Sequence, residues 1–509
     1  MKLLTVYQFL GIAAFCVFVI TLLSLYKRSS TTKAGYYLND RNTSLILGAV
    51  GCYAAWAWAP AYFISSQFGY LYGWLGPFWY IPVNAACLAL FAFAPIKLAQ
   101  LNPHGYTLPE YMAQRYSTRV EFLYQLTFAA LGISAYAVQV LAGAGVIAYL
   151  TPIPFLYASV GLAVVPLIWV APGGMRASIV SDNVKGWMLI LALVVVVPWT
   201  LVKAGGMEAL SAGLNGKSGD YVNPFSGEKA ILLMLAFGLP SSLNWLAGPW
   251  RDQSFWQLGY AGDRKARAKQ FLLAAPIFAL VVLGLSLLGI IAGGAIHTVP
   301  GFAVTNEQFV NVELVRQLLP WPVAVLFALV LILGLMSTLD SHMVSVGTLA
   351  GNDLFRKLWP AETSEARQIR FGRIAMFAVP AIGVLIANIP GLKIVHLFLI
   401  YGSLGAATFL PTVLTLLMRQ TSEAGVFWGI VVSLTVGWPL AITGYFLSNP
   451  TEWMGPVTAW LSSLYGPDAV KDLKVWLPPV GAALTMFFSG AISLLSSLFA
   501  KQARNTALA

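Results

Sequence analysis

The chain has 509 residues, 58% of them hydrophobic and 10% charged, with a formal net charge of +11. Soluble domains carry about 25% charged residues, so a water-soluble enzyme or signalling domain is excluded and an all-α polytopic membrane protein is expected. The 30 Lys and Arg lie in short segments between apolar runs, which argues against nucleic acid as a partner and points to the lipid bilayer.

Each membrane crossing needs roughly 20 apolar residues. Taken in chain order, the apolar runs predict about thirteen transmembrane helices, near 5–26, 45–70, 74–100, 120–150, 153–171, 178–203, 229–249, 268–297, 319–352, 371–389, 394–418, 423–448 and 475–500. The first run is preceded only by Lys2 and followed by no A-x-A site, so it is expected to be a retained helix and not a signal peptide. If the N-terminus is outside, most Lys and Arg fall on one side, in "YKRSSTTK", "DRKARAK" and "FRKLWPAETSEARQIRFGR". Positive residues mark the cytoplasmic side, which predicts an outside N-terminus and a cytoplasmic C-terminus. Short loops suit a bacterial inner membrane. Cys16, Cys52 and Cys87 all lie inside apolar runs, as core residues do. No P-loop, H-E-x-x-H or partnered G-x-S-x-G motif occurs, so no catalytic residue and no organic cofactor are expected.

Two runs are interrupted. The second, "GAVGCYAAWAWAPAYFISSQFGY", contains Gly51 and Pro60; the seventh, "LLMLAFGLPSSLNWLAGPW", contains Gly238, Pro240 and Gly248. Broken helices at matching places in two halves mark an inverted-repeat transporter. Spans two and seven are five apart, which predicts two five-helix repeats over about 45–205 and 229–418. Residues 1–44 then hold an extra helix and loop, 45–420 the transporter core, and 421–509 two further helices and a tail.

Span nine carries "GLMSTLDSHM" (334–343) in the middle of an apolar run. Polar side chains in hydrocarbon are costly unless they face protein, water or an ion. Ser337 and Thr338 offer hydroxyl oxygens, and the break in span two offers freed carbonyls. An all-oxygen shell suits a small hard cation. The alternative is that these hydroxyls bond back to their own helix, which Asp340 opposes, because a carboxylate cannot be hidden that way.

Four segments resemble the sodium/solute symporter family: "TLPEYMAQRYSTR" (107–119), "GGMRASIVSDNVKGW" (173–187), "RDQSFWQ" (251–257) and "MSTLDSHMVSVGTLAGNDLFRK" (336–357). The resemblance implies a LeuT-like five-plus-five core. It also implies a sodium site formed by Ser337, Thr338 and the carbonyls of Ala54 and Ala57. Asp182 matches the family's aspartate near the inner end of span six, with helix capping as its structural alternative, and Asp340 is expected to complete an inner cation site. Where proline-transporting relatives carry an aspartate in span two, this chain has Trp56.

"WAWAPAYFISSQFGYLYGWLGPFWY" is most similar to the urea active transporter subgroup. The residues expected around the solute are Trp56, Trp58, Tyr136, Gln139, Ser242, Asn244 and Tyr401, with Ser65 and Gln67 nearby. No formal charge is expected among them, which suits a small neutral polar solute whose N–H and C=O groups each need a partner. The sequence thus predicts sodium-coupled urea symport by alternating access. A proton in place of sodium, a small amino acid or other organic solute in place of urea, and a transporter-like sensor with a separate partner protein are the alternatives.

Overall fold

The computed structural model describes residues 6–26, 31–418, 420–448 and 454–508. Lys2, Lys27, Arg28 and Arg419, which enter the charge-asymmetry reading, lie outside them. Among the described residues the chain is helical, with no strand. The elements that matter below are α1 (Val6–Leu25), α2 (Leu45–Trp56), α3 (Pro60–Tyr72), α4 (Leu75–Leu101), α5 (Thr118–Leu150), α6 (Phe155–Val164), α7 (Leu167–Lys203), α8 (Glu228–Leu246), α9 (Gln253–Ala261), α10 (Ala266–Thr298), α11 (Trp321–Leu358), α12 (Glu365–Ala387), α13 (Ile394–Leu417), α14 (Glu423–Ser448) and α15 (Pro467–Ala500).

Ten helices among the described residues are long and apolar enough to cross a membrane, or eleven when α2 and α3 count as one bent span. Two features explain why this is fewer than the expected thirteen. The apolar part of α1, Phe9–Leu25, is short. In addition, α6 and α7 form one run of 49 residues, about 74 Å at 1.5 Å per residue and more than twice the hydrocarbon thickness. That run folds back on itself. Trp169 and Lys185 both reach Asp340 Oδ2, at 2.9 and 2.5 Å, although a straight helix would hold them about 24 Å apart. The reversal falls at Gly174, whose φ of 58° and ψ of −146° leave helical geometry. A Cβ there would also meet the Tyr36 carbonyl at 2.2 Å. Only glycine meets both demands.

The broken span bends by 72° between α2 and α3. In the hydropathic window of α11, 83% of residues are buried, against 72% for α5 and α13 and 33% for the α6–α7 run. The polar stretch of α11 therefore faces protein on all sides and does not meet lipid. α10 packs along α2 and α3, and it does so backbone to backbone. A Cβ on Gly289 would lie 1.8 Å from the Ser66 carbonyl, and one on Gly69 2.5 Å from the Ser286 carbonyl.

Candidate functional site

The break in α2–α3 opens because its N–H groups leave the helical register. The Trp58 N–H bonds Trp56 O, and the Ala59 N–H bonds Gln139 Oε1 at 2.8 Å. The carbonyls of Ala54 and Ala55 thus lose the donors of a continuous helix, and Ala57 leaves helical dihedrals (ψ 78°). Thr338 Oγ1 donates to Ala55 O at 3.2 Å, so one of the two α11 hydroxyls reaches the break, at Ala55 and not at the expected carbonyls of Ala54 and Ala57. Ser337 Oγ and Asp182 Oδ1 are buried without a hydrogen-bond partner. The two side chains face one another, close enough for the Ser337 hydroxyl to turn toward the Asp182 carboxylate, and Ser178 donates to Asp182 Oδ2 at 3.4 Å. Buried oxygens left without a donor are costly, which fits a cation-binding pocket of oxygens.

Asp340 differs from the expectation. Its Oδ2 accepts from Lys185 at 2.5 Å, Trp169 at 2.9 Å and the Ser181 hydroxyl, so a lysine ammonium occupies the side of the carboxylate where an ion was expected. Lys185 Nζ is also 3.8 Å from Asp182 Oδ1, and all three side chains are fully buried. The sequence reading did not single out Lys185. The signal was there, a lysine inside an apolar span three residues after Asp182.

Below the break, aromatic rings close around Trp58. Its ring centroid is 5.3 Å from that of Trp245 and 4.9 Å from that of Tyr401. Trp56 packs edge-on against Trp245 and Phe255, and its Nε1 donates to Asn84 O at 3.2 Å. Trp58 Nε1, Gln139 Nε2 and Asn244 Oδ1 are buried without partners, while Asn244 Nδ2 donates to Tyr445 at 2.9 Å. Two expected solute residues are elsewhere. The Tyr136 hydroxyl is committed to the Ala163 carbonyl, tying α5 to α6. Ser242 is half-buried, whereas its neighbour Ser241 is buried with an unpartnered hydroxyl. The helix phase at that bend, which runs through a π-helical turn at Met234–Gly238, reverses the two.

The lining is also not free of charge. Arg251 is fully buried, with its guanidinium 4.6 Å from the rings of both Trp245 and Tyr401. It donates to the carbonyls of Asn244, at 2.9 Å, and Gly402. Asp252 caps α9 through Ser254 and accepts from Tyr401 at 2.8 Å. His342 Nε2 lies 3.2 Å from the same carboxylate. Gly248–Arg251 form a 3₁₀ turn between α8 and α9, so of the three residues expected to interrupt the seventh span, Gly248 begins this turn, Gly238 ends a π turn and Pro240 lies in helix.

The remaining motif residues meet at the end of the bundle beyond α9. Thr107 donates to both oxygens of Asp353, at 3.0 and 2.8 Å. Arg356 and Asn352 bond the Glu110 carboxylate at 3.1 and 3.2 Å. Gln253 receives the Leu108 N–H at 3.2 Å, and Gln257 donates to Thr348 at 2.7 Å. Three segments distant in sequence thus form one latch.

Comparison with known proteins gives the family and the fold. The sodium:solute symporter family model matches residues 36–433. The chain is 22% identical over 452 residues to the urea-proton symporter DUR3 of Oryza sativa subsp. japonica, covering 84% of this chain but 63% of that one. It is 24% identical over 416 residues to the sodium/pantothenate symporter of Haemophilus influenzae, covering 78% and 82%. Mouse sodium/myo-inositol cotransporter 2 is 23% identical, covering 71% and 58%; the chain thus spans about three-fifths of the rice and mouse relatives. Among solved structures, a Na+-coupled sialic acid symporter in its substrate-bound outward-open state superposes with a TM-score of 0.71 at 14% identity, covering 96% and 97%. That likeness gives the fold, a five-plus-five LeuT-like core. With the family model matched over most of its length, the chain belongs to the sodium:solute symporter family.

Proposed function

We propose that this protein imports a small polar solute, with urea the first to test, together with one sodium ion held by Ser337, Thr338, the carbonyls of Ala54 and Ala57, and Asp182. The observation that carries the ion site is the cluster of buried oxygens on Ser337, Thr338 and Asp182 beside a helix break, with the Lys185 ammonium no closer than 3.8 Å to Asp182 Oδ1. For the solute, Trp58 Nε1 and Gln139 Nε2 offer donors to a carbonyl, and Asn244 Oδ1 offers an acceptor to an N–H. Urea presents both kinds of group. Similarity to a rice urea-proton symporter supports the same choice.

Sodium bound between α2 and α11 would order the break and favour the outward-open state. Solute binding then closes the outer side, and opening of the inner latch releases both. Coupling follows because each ligand stabilises the same conformations. A 100 mV potential supplies about 2.3 kcal/mol per charge and a tenfold sodium gradient about 1.4 kcal/mol, enough together for about 500-fold accumulation of a neutral solute. The reading places the N-terminus outside, the C-terminus and the latch in the cytoplasm, and the protein in a bacterial inner membrane.

A second reading replaces sodium with a proton, the coupling ion of the rice urea-proton symporter. One experiment separates the two: uptake of labelled urea into proteoliposomes under an inward sodium gradient or an inward proton gradient, for wild type and Ser337→Ala/Thr338→Ala. Sodium-driven accumulation lost in the double variant supports the proposal. Accumulation driven by protons alone moves the coupling ion. No accumulation of urea, with sodium still protecting the purified protein from heat, removes urea and keeps the ion site.

A further inference from the structure

Lys185 has a role that the sodium site alone does not require. It lies in α7 with its side chain fully buried, and Nζ sits between two carboxylates, 2.5 Å from Asp340 and 3.8 Å from Asp182. It stands 5.2 Å over the ring of Trp169, on the facing strand of the hairpin that reverses at Gly174. An ammonium of this kind supplies donors and one positive charge, which are the services a bound sodium ion would give to the same oxygens. Fully ionised, Asp182, Asp340 and Lys185 carry one net negative charge, which one monovalent cation cancels. The partition of contacts says which carboxylate is left for it. Lys185, Trp169 and Ser181 all donate to Oδ2 of Asp340, whereas Asp182 has only Ser178 at 3.4 Å and the facing Ser337 hydroxyl as donors, with the ammonium 3.8 Å from its Oδ1; Oδ1 of each carboxylate has no closer donor.

We infer that Lys185 is a resident cation that substitutes for a second sodium ion at Asp340, so that each transport cycle binds one sodium ion, held on the Asp182 side. The inference rests on the sodium site proposed above and adds to it the stoichiometry. Lys185 is a positioning residue for the ion, acting through the two carboxylates. It moves with α7 and does not cross the membrane.

Two consequences are specific. Without the lysine the trio gains a charge, and a second sodium ion takes its place. Without Asp340 the lysine is released toward Asp182, 3.8 Å away, where it competes with the ion.

The test is equilibrium binding of radiolabelled sodium to the purified full-length protein, with thermal stability measured on the same samples. The wild type is expected to bind one ion per chain with a hyperbolic isotherm. Lys185→Met is expected to bind two, with stability that now depends steeply on sodium. Asp340→Asn is expected to lose at least tenfold in sodium affinity, and Lys185→Met/Asp340→Asn to return to one ion near wild-type affinity. If Lys185→Met alone cannot be purified, the wild-type stoichiometry and the recovery of affinity in the double variant still decide. Two ions on the wild type, one on Lys185→Met, or no recovery in the double variant overturns the inference. A wild type that binds no sodium overturns the sodium-coupled reading and this one with it, and is distinguishable from each of those results.

Discussion

His342 connects the candidate ion site to the lower side of the solute site. Its Nδ1 is 2.9 Å from the carbonyl of Thr338, one turn back in α11, and its Nε2 is 3.2 Å from Asp252 Oδ2. Asp252 in turn holds the Tyr401 hydroxyl of α13 and the first turn of α9. One carboxylate therefore joins three helices directly below the residues proposed to bind sodium, and a shift of α11 on ion release would be felt there first.

Replacing Asp252 by Asn keeps the shape and removes the charge-assisted bonds. A buried bond of this kind is worth about 1–3 kcal/mol, a shift of about 5- to 150-fold in the equilibrium between closed and open lower mouth. The readout is the labelling rate of Ser341→Cys by a polar thiol reagent, with Cys16, Cys52 and Cys87 replaced. Ser341 is 5% exposed, so the rate reports opening. An unchanged rate would remove Asp252 from the closure.

Trp58→Phe keeps most of the ring packing against Trp245 and Tyr401 and deletes the unpartnered Nε1–H. If that group donates to the solute carbonyl, KM rises about 2- to 12-fold, the equivalent of 0.5–1.5 kcal/mol for a neutral hydrogen bond, with sodium affinity unchanged. Equal losses in both would mean that the change acts through the helix break.

The latch is open to a double-mutant cycle. Thr107→Ala and Asp353→Ala each remove the same pair of bonds, so their effects on thermal unfolding should fail to add by about 0.5–3 kcal/mol. Additive effects would place the two residues in separate structures.

Two glycines should respond with opposite signs. Gly289→Ala drives a Cβ to 1.8 Å from the Ser66 carbonyl, and relieving that overlap costs at least about 1–3 kcal/mol. Gly161 lies in α6 with nothing within 4 Å of an added Cβ, so Gly161→Ala should stabilise by roughly 0.5–1 kcal/mol. Midpoints of thermal unfolding in detergent check both.

A pH effect is expected outside the membrane. Lys33 sits in the short helix Lys33–Leu38, with Nζ 4.5 Å over the Tyr106 ring. Burial, with the nearby Arg356 charge, lowers its pKa from 10.5 to about 8. The unfolded chain holds this proton to higher pH than the folded one, so this group costs stability at neutral pH, and the cost fades as pH rises from 8 to 10.5. Lys33→Met should therefore be more stable than wild type at pH 7, with the gap closing toward pH 10. A gap that is constant with pH assigns the effect to packing.

Much of this was legible in advance because membrane helices announce themselves by length, and polar residues within them by their cost. The break in span two and the burial of the polar stretch of α11 against protein follow from Pro60 and from the cost of that polarity in lipid. What could not be read were phases and pairings. Whether Ser241 or Ser242 points inward depends on a π turn that adds a residue to the helix. Asp340 looked like an ion ligand because its partner, Lys185, lies 155 positions away, and no periodicity links them. Arg251 was not singled out, because it stands just past an apolar run and its side chain swings back between Trp245 and Tyr401 only once the 3₁₀ turn has set its direction.

The backbone contact between α3 and α10 sets a mechanical scale. With Ser66 against Gly289 and Gly69 against Ser286, α3 cannot slide over α10, and since α10 packs along α2 as well, a lever of α3 pivoting at residues 57–59 would have to lift off α10 or bend it. The 13 residues of α3 give that lever an arm of about 20 Å. A rotation of about 13° moves its tip by roughly 4–5 Å, the width of a molecule the size of urea. A larger solute would demand a wider swing from the same joint, so the travel of such a lever, as well as the chemistry of the site, would bear on the size of solute that passes.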